Sequence, residues 1–153
     1  MRTIFLTIIP VLCAILGYLF SVKYGQVRDF WERFAFWHKK IKTEIAFSQN
    51  SLLEIFSENG KGDAFSDCAI KYVSGKDEAY QPVFLSDQER EFLDKYLRNL
   101  GTTDKDSQLS FLTALESELE NFREIAEKKS KTYRPLYVKM GFLLGLIIFI
   151  LLI

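Results

Sequence analysis

A chain of 153 residues with 20 Lys and Arg against 20 Asp and Glu carries no net charge, which removes the broad basic surface that a nucleic-acid binder needs. The charge is also segregated: no acidic residue precedes Asp29 or follows Glu127. That leaves two apolar ends around a middle of roughly 110 residues, the usual size of one small domain.

The first element is an apolar run from Ile4 to Val22, long enough at ~1.5 Å per helical residue to cross a hydrocarbon core of roughly 30 Å. It exceeds the apolar region of a cleaved signal peptide and offers no small-residue cleavage site before Lys23, so it is read as a membrane span. No turn-forming cluster separates Val22 from Ser48, and Val27, Phe30, Phe34, Trp37, Ile41 and Ile45 recur at the spacing of one helical face. Tyr18, Phe20, Tyr24 and Trp31 are expected at the headgroup level, where aromatic rings are favoured. His38, the single histidine, follows Trp37 and precedes Lys39 and Lys40, which points to a solvated or interfacial position.

A short helix at Ser51 to Ser57 comes next, then a break at Asn59 to Asp63. Its Gly60-Lys61-Gly62 lacks the spacing of a phosphate-binding loop. Ala64 to Val73 reads as a helix containing Cys68 as a small core residue, and Gly75 to Pro82 as a loop. Cys13 lies in the first span, so the two cysteines do not meet in a disulfide or a zinc site. Ser86-Asp87-Gln88-Glu89 is a capping box opening a helix with Phe92, Leu93, Tyr96, Leu97 and Leu100 inward and Gly101 as its left-handed cap.

The longest soluble helix runs from Ser107 to about Tyr133, with the heptad-like, coiled-coil seam Leu112, Leu115, Leu119, Phe122, Ala126, Lys129 and Tyr133. Its glutamates, Glu116, Glu118, Glu120, Glu124 and Glu127, form a solvated face, because a bundle metal site requires Glu-x-x-His pairs that are absent. Lys128, Lys129 and Lys131 stand before the second apolar run, Leu136 to Ile153, and suit anionic lipid headgroups. Within that run Gly141-x-x-x-Gly145 is the spacing that lets transmembrane helices approach closely.

These elements predict an all-α protein with a transmembrane helix over 4–22, a helical bundle over 23–135 and a second transmembrane helix over 136–153. Lys23, Arg28, Arg33, Lys39 and Lys40 follow the first span, and Lys128, Lys129, Lys131 and Arg134 precede the second. The positive-inside rule therefore places the bundle in the cytoplasm and both termini outside. The first and last soluble helices leave one membrane face and are expected to pack antiparallel, with the middle helices at the distal end.

Several segments, in order, resemble the stage III sporulation protein AB family. They are Gly17-Tyr18; Ile41-x-x-Glu44-Ile45; Leu52; Phe92 to Leu97 with Leu100-Gly101-x-x-Asp104-x-x-x-Gln108; Glu127-x-x-x-Lys131; Met140-Gly141-x-x-x-Gly145-Leu146; and the closing Ile150 to Ile153. Ser51 replaces the family's usual proline, and Pro135 breaks the run into the second span. The resemblance implies a non-enzymatic component of the mother-cell membrane complex that joins the forespore through a channel during engulfment. It also implies a domain similar to the cytoplasmic domains of type II secretion platform proteins, and partners among the other stage III sporulation membrane proteins. A further implied partner is an ATPase resembling stage III sporulation protein AA, since this chain has no phosphate-binding loop of its own.

Glu44 and the distal turn formed by Leu100, Gly101, Asp104 and Gln108 are the candidate docking surface for that ATPase. The local alternative pairs Glu44 with Lys40 and makes Asp104 a helix cap. Gly141 and Gly145 are the candidate span-packing residues. No catalytic, metal or cofactor residue is expected. The rival readings are a membrane-bound enzyme, disfavoured by one histidine and no metal or phosphate motif, and a generic two-span scaffold such as a cell-division tether.

Overall fold

The computed structural model describes residues 2–47, 56, 63–73 and 82–152. Four helices carry them: α1 (Arg2–Phe47), α2 (Ala64–Val73), α3 (Asp87–Asn99) and α4 (Lys105–Leu152), with no strand among the described residues. The expected helix at Ser51 to Ser57 and the breaks at Asn59 to Gly62 and Gly75 to Gln81 fall outside the description, apart from the buried Phe56. The helices α1 and α4 are both long and apolar enough to cross a membrane. Two compact units result, Met1–Arg28 with Ile125–Ile153, and Asp29–Glu124.

The first unit is a helix pair held by small residues. A Cβ on Gly17 would lie 2.5 Å from the Tyr137 carbonyl oxygen, one on Gly141 2.5 Å from the Cys13 carbonyl oxygen, and one on Gly145 2.5 Å from the Pro10 Cα. Real Cβ atoms do not approach backbone that closely, so only glycine permits this separation. Ser21 and Ser130 are buried in the same unit, and Ser21 Oγ donates to the Tyr18 carbonyl at 2.7 Å. Tyr24 stacks on both Tyr133 and Tyr137, with centroids 5.2 and 5.7 Å apart. Outside the pair, Leu12, Leu16, Leu19, Phe20, Leu143, Ile147 and Ile150 are exposed, an apolar surface of the kind that lipid covers.

Pro135 does not break α4, which runs through it as α1 runs through Pro10. Pro135 is exposed on α4, and long apolar helices accommodate the amide that a proline removes. The seam differs too: after Ala126 the buried position is Ser130, not Lys129, which is exposed. A four-residue step keeps a straight helix's small face turned inward, where a heptad step would turn in a lysine.

The second unit is built on aromatic packing. Phe30, Trp31, Phe34, Trp37 and Ile41 from α1 are buried with Phe65, Phe92, Tyr96, Leu112, Leu115 and Leu119. Phe34 stacks on Phe65 at 4.3 Å and meets Tyr96 edge-on at 4.7 Å, while Trp31 lies parallel to Phe122 at 4.8 Å. Such pairs contribute about 0.5–1.5 kcal/mol each beyond their buried area. The Trp31–Phe122 stack, the Lys42–Glu116 ion pair at 2.8 Å and the Lys105 Nζ bond to the Ala46 carbonyl at 2.6 Å show α1 and α4 antiparallel here.

Trp31 is thus a core residue and not a headgroup anchor. Its indole N–H, once buried, requires an acceptor, and Glu89 Oε1 supplies one at 2.9 Å. The other Glu89 oxygen accepts from Ser86 N at 2.8 Å and Ser86 Oγ at 2.7 Å, which is the reach-back arm of the capping box at the start of α3. Trp37 repeats the device. Its Nε1 donates to Asp63 Oδ2 at 2.8 Å, while Asp63 Oδ1 accepts from Ser66 N at 2.8 Å and caps α2. Each tryptophan of α1 is tied to a carboxylate that also starts a partner helix.

Candidate functional site

The predicted docking residues sit at the end of the second unit where α3 turns into α4. Leu100 is buried and closes the turn, and Gly101 has φ 78°, a left-handed backbone that a Cβ would strain. Asp104 caps α4: its Oδ2 accepts from Ser107 N at 3.2 Å and its carbonyl from Gln108 N at 2.9 Å. Hydrogen bonds from the Ser107 side chain and amide to the ionised form hold the Asp104 carboxyl below its ordinary pKa. Because Asp104 is the cap, α4 begins at Lys105, two residues before the Ser107 start expected from the sequence.

Gln108 folds back over the turn. Its Oε1 accepts from Gly101 N at 3.0 Å and from Thr103 Oγ1 at 3.4 Å, and its side chain is buried, with Nε2 lacking a partner. The Leu-Gly-x-x-Asp-x-x-x-Gln spacing therefore builds a helix–turn–helix closure. Gln108 lies inside it, while Gly101 and Asp104 reach its surface.

Glu44 is half-buried on α1. Lys40, the expected local partner, instead lies over the Trp37 ring at 5.0 Å. The Lys105–Ala46 bond brings the end of α1 to the turn, so Glu44 and Asp104 share one end of this unit. Of the glutamate face, Glu116 pairs with Lys42, Glu120 with Arg123, and Glu127 with Lys131 at 2.6 Å. The Lys42 ammonium, by hydrogen bond and charge, lowers the Glu116 pKa.

His38 is buried and not solvated. Its Nδ1 lies 3.2 Å from Tyr96 Oη, Nε2 has no partner, and burial lowers its pKa. Tyr96 is deeper still, and burial raises its pKa. Buried in this way, His38 cannot reach a solvent-borne substrate. No group of three or more His, Cys, Asp or Glu side chains arranged for a metal ion occurs among the described residues. Cys13 and Cys68 are both free.

Gly141 and Gly145 lie against α1 at the backbone distances given above. Their counterpart on α1 is the stripe Gly17, Ser21 and Gly25, each four residues apart and each buried. That spacing was visible in the sequence. The two tryptophan–carboxylate ties were not, because their partners lie 58 and 26 residues away.

Compared with known proteins, residues 60–153 match the sequence model of a family described as stage III sporulation protein AB. The match takes in α2, α3 and α4 and leaves α1 outside. No curated protein and no solved structure matches the chain.

Proposed function

Because the chain belongs to the stage III sporulation protein AB family, with a role in sporulation, we propose that it is a non-enzymatic membrane platform of the channel complex between mother cell and forespore. Two spans fix it in the mother-cell membrane around the forespore, its helical unit faces the cytoplasm, and that unit docks a secretion-type ATPase resembling stage III sporulation protein AA. The remaining stage III sporulation membrane proteins are its neighbours in the bilayer. In this reading the domain is a relative of type II secretion platform domains, and energy enters through the ATPase.

The observation that carries the reading is the continuity of α1 and α4, each an unbroken helix that begins or ends in an apolar segment and contributes to the aromatic core. A chain so built is an anchored adaptor. Glu44 and the Asp104 turn, gathered at one end of the second unit, are the docking surface.

The test separates charge from fold. Asp104→Lys would remove a cap, so Asp104→Ser is used, which keeps the cap and removes the charge. Combined with Glu44→Lys in the full chain, it should weaken ATPase capture at an unchanged melting temperature. Capture at wild-type affinity would place the docking site elsewhere.

A further inference from the structure

We propose that the first unit binds one anionic phospholipid, its phosphate held between the Arg134 guanidinium and the hydroxyls of Tyr24 and Tyr137. This site presupposes that α1 and α4 span the membrane, as proposed above. The first unit is strongly unbalanced in charge, with eight Lys and Arg against one carboxylate, Glu127. Glu127 pairs with Lys131, and Asp29, four residues past Gly25 on α1, makes no ion pair with Arg134. Arg134 is half-buried, yet no carboxylate among the described residues meets it. Its guanidinium lies across Gly25, 3.3 Å from where a Cβ would stand. A guanidinium carries five N–H donors in a planar fork that matches phosphate. Drawn partly out of water without a carboxylate, it calls for another anion.

The residue before Gly25 supplies the other half of the site. Tyr24 stacks on both Tyr133 and Tyr137, and its hydroxyl lies 3.5 Å from that of Tyr137. Beyond that contact the phenols have no acceptor among the described residues, and each O–H can donate to a phosphate oxygen. Because Tyr24 and Gly25 are adjacent, phenols and guanidinium lie at one level of the helix pair. Apolar neighbours select a lipid over a free anion. Phe20, one turn before Tyr24, is 70% exposed, and Met140, on the face of α4 that carries Tyr133 and Tyr137, is 51% exposed. A phosphate ester with acyl chains covers the polar and apolar parts together, whereas a soluble phosphate leaves the apolar part bare. The excess of cations favours an anionic headgroup over a zwitterionic one.

The experiment titrates the full chain, in neutral detergent, with phosphatidylglycerol or phosphatidylcholine and counts bound lipids by native mass spectrometry. The first phosphatidylglycerol should bind about tenfold more tightly than phosphatidylcholine and raise the melting temperature. Arg134→Gln should remove that preference, and Arg134→Lys, which keeps the charge but loses the fork, should restore only part of it. Lys139→Gln removes the same charge at an exposed position and should cost at least about fivefold less than Arg134→Gln. Tyr24→Phe with Tyr137→Phe keeps the ring stack and should weaken phosphatidylglycerol by about fivefold. Equal losses in Arg134→Gln and Lys139→Gln would mean diffuse attraction only and overturn the site. Competition by glycerol phosphate at the concentrations where phosphatidylglycerol binds would mean a free-anion site and overturn the lipid assignment. Should Arg134→Gln melt early, the tyrosine pair decides, and unchanged binding there overturns the proposal. A chain that integrates into vesicles without headgroup preference sinks this site alone, whereas one that fails to integrate sinks the spans with it.

Discussion

His38 and Cys68 make opposite statements about one core. Protonating His38 would place a charge among Tyr96 and the apolar side chains of α1, near Lys39 and Lys42, with Glu116 as its attractive neighbour. Its folded pKa lies below the ordinary 6.5. The unfolded chain therefore binds protons first as pH falls, and the stability associated with neutral His38 is complete above 6.5 and lost below it. Denaturant midpoints measured from pH 7.5 to 5.5 should fall, and His38→Gln should flatten that slope. Glu116, whose pKa is lowered from 4.5, acts below this window and leaves the test clean. Cys68, by contrast, is silent at neutral pH, its thiol pushed up to about 11 by burial.

Helices reveal how far a linear reading reaches. The α2 bounds and the α3 start agree with periodicity and the capping box, because both signals are local. Trp31 is the exception, because an indole nine residues past Val22 suits a headgroup or a core equally well until its acceptor is known. The candidate turn was legible as a turn, whereas the inward fold of Gln108 depends on a side chain reaching back seven residues. Leu115 is a buried seam position in agreement with the sequence, and Leu115→Ala should cost about 2–5 kcal/mol by denaturant titration. In the span pair the glycines differ from one another. Gly17→Ile or Gly141→Ile forces backbone apart and should destabilise by about 1–3 kcal/mol in detergent unfolding. Gly25→Ala meets only the Arg134 side chain, at 3.3 Å, and should be tolerated.

At the scale of the whole molecule, orientation is the property to fix. Cations flank the inner ends of both apolar runs, and the proposal places the second unit in the cytoplasm. Cys68 cannot report this, being buried and protonated whichever side it faces. Ser117 is exposed on α4. In intact cells Ser117→Cys should resist a membrane-impermeant maleimide, and it should react after permeabilisation. Labelling without permeabilisation would invert the topology.

The Trp31–Phe122 stack also sets an order of events during synthesis. With Trp31 made early and Phe122 late, roughly 90 residues separate them, which a ribosome needs about 5–20 s to add. Through that interval Trp31, Phe34 and Trp37 lack the Phe122 side of α4 to cover them, and the carboxylate that holds Trp31 is made only with the start of α3. The second unit can close only once α4 has been made, and α4 continues without a break into the second apolar run. Closure of the core is thereby tied to the completion of α4, and a chain interrupted before α4 presents bare indole and phenyl rings to the cell's proteases and chaperones.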